Sequence, residues 1–360
     1  MDRLIDEIVE VRVTDAVAAA SATPVNTAAV LGVSTKTDTL VVYKNEVATK
    51  CDGDLAKVAA SFFAENNPGK LVCIPTTSED LVGSNIKSLL DAAISLGKDA
   101  SSPIQRDVDF YHVIIRLGDS VEASAAIEIV KALDSWCADN FRLGHVEVKS
   151  LELAGSIVKG LGKKLSRVAL YSHNDNEGTS LAAAIVADRC ASDPARGTWA
   201  HKTLVGVTPD AIGQSDLKDV QDHGINVYCK VAGVARTFFG SIIGQNNAFI
   251  DEVVKKDWLK FRTQEAVFNI LGSANNGDGV DYNDAGIIAI AAAINNIFTI
   301  AADNDHRYIM PDSFDVQVPK YADISRDDKE QRNLPDVKVT FAIQASINTV
   351  KYIELQVVSA

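Results

Sequence analysis

The chain closes on DVKVTFAIQASINTVKYIELQVV (336–358), and the reading of this stretch decides how the molecule is organised. Val337, Val339, Phe341 and Ile343 alternate with Lys338, Thr340 and Ala342, and after a short gap Ile353, Leu355 and Val357 alternate with Glu354 and Gln356. Successive side chains of a strand point to opposite faces, so each run predicts a strand with one face to bury. The opening residues carry the same signal, with Val9, Val11 and Val13 between Glu10, Arg12 and Thr14. DAVAAASATPVNT (15–27) and QASINT (344–349), which attach the outermost strands, are small or polar and suit extended tethers. Alternation leaves two pairings open. The terminal strands pair inside their own subunit, which composition favours, or they reach a neighbour.

Inward from the ends the texture divides in two. Between about 28 and 193, strand-like VVY at Val41, LVCIP at Leu71, DFYHVIIRL at Asp109 and SRVALY at Ser166 alternate with helix-like GDLAKVAASFFAEN, SEDLVGSNIKSLLDAAISLG, SVEASAAIEIVKALDSW and GTSLAAAIVADRC. That alternation predicts an α/β unit with a largely parallel sheet. From Pro194 onward the pattern is α+β: strands with hairpin character at 225–231 and 235–241, long helices over 249–271 and 283–302, then further strands. The fold class expected is α/β plus α+β. Its parts are an N-terminal arm and first strand over 1–27, an α/β domain over 28–193, an α+β domain over 194–343 and a C-terminal arm strand over 344–360.

Composition narrows the function. Of 360 residues, 47% are hydrophobic and 23% charged, the balance of a chain with an ordinary core. Thirty-five Lys and Arg against forty-eight Asp and Glu give a net charge of −13, a field that repels a phosphate backbone, so no nucleic-acid partner is expected. Cys51, Cys73, Cys137, Cys190 and Cys229 are scattered without metal-ligand spacing and read as reduced, buried thiols of a chain made in the cytoplasm. Acidic residues interrupt MDRLIDEIVEVRV, unlike a secretory signal. Asn295 and Asn296 break the apolar run AGIIAIAAAINNIFTIAA (285–302), which reads as a buried helix, and no membrane insertion is expected.

Motifs for catalysis fail one by one. In AGSIVKGLGKK (154–164), Leu161 follows Gly160 where a phosphate-binding loop needs lysine, so a helix end and turn is the better reading. In DYNDAG (281–286), Ala285 and Ala292 stand where a calcium loop needs oxygen ligands, and Asn283 or Asp284 instead caps the next helix. No GxSxG elbow or HExxH pair occurs. One loop keeps an enzymatic alternative open: SHNDNEGTS (172–180) lies between a strand and a helix, where open α/β sheets bind ligands, and offers His173, Asp175 and Glu177. The same residues also make an ordinary turn and N-cap, which is the favoured reading. No cofactor, metal or catalytic residue is expected.

Read in order, the second half resembles the contractile tail sheath proteins of bacteriophages and phage-tail-like particles. The matching pieces are GTWAHKTLVGVTPDAI from Gly197, GINVYCKVAG from Gly224, FIDEVVKKDWLKFRTQEAVFNIL from Phe249, DYNDAGIIAIAAAINNIF from Asp281, and the long segment from Phe314 to the closing strands. The resemblance covers 194–360 and extends to the first twenty-five residues; the α/β region matches in position only. It implies a structural subunit whose N- and C-terminal arms donate strands to a small sheet of neighbouring copies. Val9, Val11, Val13, Val337, Val339, Phe341, Ile353, Leu355 and Val357 would then make the exchange. It further implies hexameric rings stacked on a tail tube, a contracting sleeve, and baseplate and tail terminator partners, in a virion tail assembled in the cytoplasm of a bacterial host. By position, Asp303, Asp305 and Arg307 would face the tube, while a solvated helix terminus accounts for them equally. A cellular contractile secretion system is the neighbouring alternative, although such sheaths usually need two different chains.

Overall fold

The computed structural model describes residues 25–65, 68–97, 108–118, 120–162, 165–174, 178–243, 248–274 and 278–350. The expected strands around Val9, Val11 and Val13 and around Ile353, Leu355 and Val357 lie outside these residues. At the centre is a sheet in the order β2-β3-β1-β4-β5-β6-β7-β8. Its strands are β1 (Ala28–Val33), β2 (Leu40–Val42), β3 (Leu71–Thr76), β4 (His112–Arg116), β5 (Leu143–Val148), β6 (Val168–Ser172), β7 (Ile225–Val231) and β8 (Val234–Phe238). The six inner strands run parallel, and only the edge strands β2 and β8 are antiparallel to their neighbours. Ala232 and Gly233, at φ 50° and 82°, make the tight β7–β8 turn. Left-handed backbone at both central positions matches the twist of a two-residue hairpin.

Both faces are covered because both faces are apolar. Along β1, Ala28 and Val30 pack to one side and Ala29 and Leu31 to the other, and β3 repeats this with Leu71 and Cys73 against Val72 and Ile74. The first side is closed by helices α2 (Gly53–Ala64), α6 (Leu181–Ala191), α8 (Ile250–Ser273) and α9 (Asp284–Ala302). The second is closed by α3 (Gly83–Gly97), α4 (Ala123–Asn140), α5 (Leu151–Leu161) and α7 (Gln214–His223). A short helix, α1 (Val47–Lys50), leads into α2, and α10 (Arg326–Gln331) precedes the last described strand. This is the doubly wound arrangement that buries parallel strands on both sides.

The sheet does not stop at residue 193. β7 continues it parallel to β6, and α8 docks across it through buried charge: the Arg167 guanidinium pairs with Asp257, which also accepts the Tyr111 hydroxyl at 2.5 Å. Arg167 and Lys260 flank the Phe141 ring at 5.1 and 4.3 Å. Breaking one partner of such a buried pair typically costs about 3–5 kcal/mol. Strands from before and after residue 193 therefore share one continuous sheet, whose β7–β8 edge comes from the later part of the chain.

The helix α9 is long and apolar enough, by length and composition, to cross a membrane. Gly286, Ile287, Ile290, Ile294, Phe298 and Ala301 nevertheless form a stripe at helical spacing that packs on α8 and the last strands. Asn283 caps it, accepting the amide of Gly286 at 2.9 Å.

A line of buried polar groups crosses the middle strands. The Val25 carbonyl can only accept, so His112 Nε2 donates to it at 3.0 Å. His112 Nδ1 then accepts from His145 Nε2 at 3.0 Å, and His145 Nδ1 accepts the Tyr171 hydroxyl at 3.0 Å. Burial pushes His112 down to about 3 and His145 well below the ordinary imidazole value. A folded pKa below the unfolded one means that these rings oppose folding as pH drops below about 6.5. The opposition grows until the folded-state value is reached. In the folded protein the ring-proton NMR signals of His112 and His145 should stay flat from pH 8 to 5; a midpoint near 6.5 for either would contradict the relay.

Candidate functional site

The stretch that opened the sequence reading is described as far as Val350. β9 (Asp315–Gln317) and β10 (Lys338–Thr340) form a separate antiparallel sheet in the register Lys338 to Gln317, Val339 to Val316 and Thr340 to Asp315. Period-two alternation puts Val316, Val337, Val339 and Phe341 on one face, half-buried, and leaves Asp315, Gln317, Lys338 and Thr340 exposed. The half-buried face lies over α9, where Phe298 meets Phe314 at 5.7 Å and Phe341 at 5.3 Å between ring centres. Two strands this short are marginal on their own, and lasting stability requires further strands or a helix beneath them. Among the described residues no third strand joins this sheet.

Beyond β10 the chain runs as an extended tether, fastened by its backbone. The amide of Met310 bonds the Ala342 carbonyl and the amide of Gln344 bonds the Tyr308 carbonyl, both at 2.9 Å, around an Ile309–Ile343 bridge. Lys255 on α8 is 0% exposed; its ammonium donates to Asp251 Oδ2 at 2.6 Å and to the Gln344 carbonyl at 2.8 Å. Burial raises the Asp251 carboxyl, and the Lys255 ammonium opposes that rise. Farther on, His201 Nε2 donates to the Asn348 carbonyl at 2.8 Å. Ile347 and Val350, by contrast, are 84% and 67% exposed, apolar side chains held out in water by an anchored backbone. Sequence reasoning misses Lys255 and His201, since a lysine in an amphipathic helix and a histidine in a loop carry no sign of a carbonyl partner about ninety or more residues away.

Asp303, Asp305 and Arg307 sit together on the turn after α9 and all are exposed. Asp303 braces that turn, because its Oδ1 accepts the amides of Asp305 at 3.0 Å and His306 at 2.7 Å and the His306 ring Nδ1 at 2.9 Å. The His306 amide foremost holds the Asp303 carboxyl below the usual range. Arg307, at φ 55°, donates its amide to the Asp303 carbonyl at 2.9 Å.

The loop 172–180 presents chemistry that the sequence only half disclosed. Asp175 and Glu177 lie outside the described residues. His173 is brought between Asp210, with Nδ1 to Oδ2 at 3.2 Å, and Thr179, with Nε2 to Oγ1 at 3.3 Å. Hydroxyl, imidazole and carboxylate in that order are the ingredients of nucleophilic catalysis. Two features work against it. His173 is 2% exposed, and the positive end of α6, where an oxyanion would be stabilised, is occupied by the protein's own carboxylate. Glu147 Oε2 accepts the Ala182 amide at 2.7 Å and the Ser180 hydroxyl at 2.8 Å, while Ser180 Oγ accepts the Ala183 amide at 3.2 Å. Arg116 Nε lies 3.3 Å from the other Glu147 oxygen. Burial raises the Glu147 carboxyl, and the Ala182 amide, His173, Arg116 and Ser180 pull it back. The crevice where an α/β sheet would take an anionic ligand is thus filled from within.

No family model matches the sequence, and no curated protein matches it. Solved structures do. A chain of the anti-feeding prophage baseplate, determined by electron cryo-microscopy with six-fold symmetrisation, is 12% identical, covers 98% of this chain and 98% of its own length, and has a TM-score of 0.63. A chain of the PVC sheath complex, an extracellular contractile injection system in its contracted state, is 11% identical, covers 98% of this chain and 97% of its own, and has the same TM-score of 0.63. Across nearly its whole length the protein has the fold of chains found in contractile particles, in line with the resemblance to tail sheaths read from the sequence.

Lys255→Met removes the charge that fastens the tether while keeping the bulk of the side chain. Loss of such a bond at a buried site costs about 1–3 kcal/mol. Amide exchange at Gln344 should therefore speed up by roughly 5- to 150-fold, with α8 still protected. Unchanged exchange at Gln344 would contradict the anchor.

Proposed function

We propose that this chain is the sheath subunit of a contractile tail or contractile injection particle, a structural and mechanical protein without catalytic residues. The observation that carries the reading is the likeness of fold, over 98% of the chain, to chains of two contractile particles. The small β9–β10 sheet beside a fastened tether supports it in physical terms. An arriving strand satisfies an open sheet edge through main-chain hydrogen bonds, while alternate apolar side chains extend the half-buried face. Val9, Val11 and Val13 of one copy and Ile353, Leu355 and Val357 of another supply such strands, adding to the face of Val337, Val339 and Phe341.

Three buried aliphatics per arm give about 5–9 kcal/mol gross, before the ordering of the tether is subtracted. A head-to-tail contact that does not close on itself propagates as a helix, so stacked hexameric rings become a connected mesh. The mesh encloses a tube protein and ends at baseplate and terminator proteins, in a tail assembled in the cytoplasm of a bacterial host. Contraction is then a rigid-body turn of subunits from a metastable sleeve into a wider, shorter lattice, with the arms as hinges. Asp305 and Arg307, exposed beyond α9, are the proposed tube contacts, and Asp303 shapes the turn that presents them.

The enzymatic reading of 172–180 is the weaker one because Glu147 occupies the helix terminus that the chemistry would need. The full chain expressed alone should form long tubes or stacked rings by negative-stain electron microscopy. Deleting 352–360 should leave a folded, soluble protein that no longer polymerises. Monodisperse small oligomers from the full chain, or unchanged tubes from the truncated one, would overturn the proposal.

A further inference from the structure

Cys51 and Cys73 lie with their sulfurs 3.6 Å apart, both buried. That is about 1.5 Å beyond the S–S bond length of about 2.05 Å. The two positions differ in how firmly they are held. Cys73 stands inside β3, with Val30 of β1 and Leu40 of β2 as its register partners, and is fixed by strands on both sides. Cys51 occupies the joint between α1 and α2 in extended backbone, at φ −116° and ψ 153°, outside both helices. Closing that gap asks less of the joint, which lies outside both helices, than of β3, which is paired on both sides. Cys137, Cys190 and Cys229 stand in α4, α6 and β7.

We propose that Cys51 and Cys73 form a modification site at which a peroxide converts the two thiols into an intramolecular disulfide. Placement assigns the roles. Cys51 stands outside both helices at the joint and is 6% exposed, whereas Cys73 is 2% exposed and held within β3. Cys51 is therefore the thiol that meets the oxidant, attacking as its thiolate, and Cys73 is the resolving thiol.

In the first step Cys51 Sγ attacks one oxygen of hydrogen peroxide and the O–O bond breaks. A sulfenic acid forms on Cys51, and the hydroxide that leaves takes up the proton Cys51 gave away, making water. In the second step Cys73 Sγ attacks Cys51 Sγ, the S–O bond breaks, and the departing hydroxide takes the Cys73 proton as a second water. Two electrons pass from the sulfurs to the peroxide, and no other reagent is consumed. A small oxidant suits a buried pair, since it needs no room for a mixed disulfide. The new bond ties the joint between α1 and α2 to β3, closing a loop that contains α2 and restricting the unfolded chain.

The folded full-length protein is treated with hydrogen peroxide, unfolded in N-ethylmaleimide and mapped by mass spectrometry without reductant. The expected result is that two of the five thiols are lost and one pair of peptides is joined through Cys51 and Cys73, with dithiothreitol restoring both. Cys51→Ser should abolish the joined pair and leave Cys73 alkylated. Five alkylated thiols after treatment, Cys51 carried to sulfinic acid without joining, or the same mixture of pairings as the urea-unfolded chain would each overturn the proposal.

Discussion

Two charged residues of α8, hidden from water, tie the helix to the central sheet on one side and to the chain beyond β10 on the other. Lys255 and Asp257 are 0% and 1% exposed and two positions apart, which on a helix places them about 200° around the axis. Asp257 reaches the central sheet through Arg167 of the segment leading into β6 and Tyr111 beside β4. Lys255 reaches the other way, to the Gln344 carbonyl of the tether. The helix is thereby pinned to the sheet on one side and holds the departing chain on the other. An apolar side chain would slide along its neighbours under load, whereas a buried ion pair or a charge-assisted bond to a carbonyl has one geometry and a steep penalty for leaving it.

This arrangement gives mechanical sense to the proposed function. A sleeve that contracts needs bodies that stay rigid and connections that bend. Buried pairs at Arg167–Asp257 and Lys255–Asp251 stiffen the body, while Ile347 and Val350, near the end of the described residues, are exposed. Among the described residues the Asn348 carbonyl, held by His201, is the last such tie, and the proposed function would put the bend beyond it. The anion site of the α/β sheet, at the α6 N-terminus, has been given over to Glu147, so a scaffold that often binds ligands is here closed by its own side chain.

Much of this was legible in the amino-acid order and some was hidden for identifiable reasons. The runs at Val41, Leu71, Asp109 and Ser166 correspond to β2, β3, β4 and β6, and the long helical patterns to α8 and α9. β1, AAVLGV, and β5, LGHVEV, carry no such signal. Small residues dilute the first, and in the second His145 and Glu147 are buried polar groups that mimic an exposed face. The boundary at 193/194 reflects a real change of texture, from alternating strand and helix to hairpin and long helices. Texture says nothing about which sheet a strand joins, and β7 and β8 joined the first. For the site, alternation around Val339 was readable because period two is local. The partners of His173, Lys255 and His201 were not, because Asp210, Gln344 and Asn348 meet them only through the fold.

The central claim is that the body, stiffened through α8, lends its β9–β10 sheet to strands from other copies. An electron cryo-microscopy map of the assembled polymer tests it directly. The account predicts main-chain pairing of 353–357 from one copy with the small sheet of another, with the Lys255 contact to Gln344 kept within each subunit. Pairing of those residues with the sheet of their own copy would contradict it.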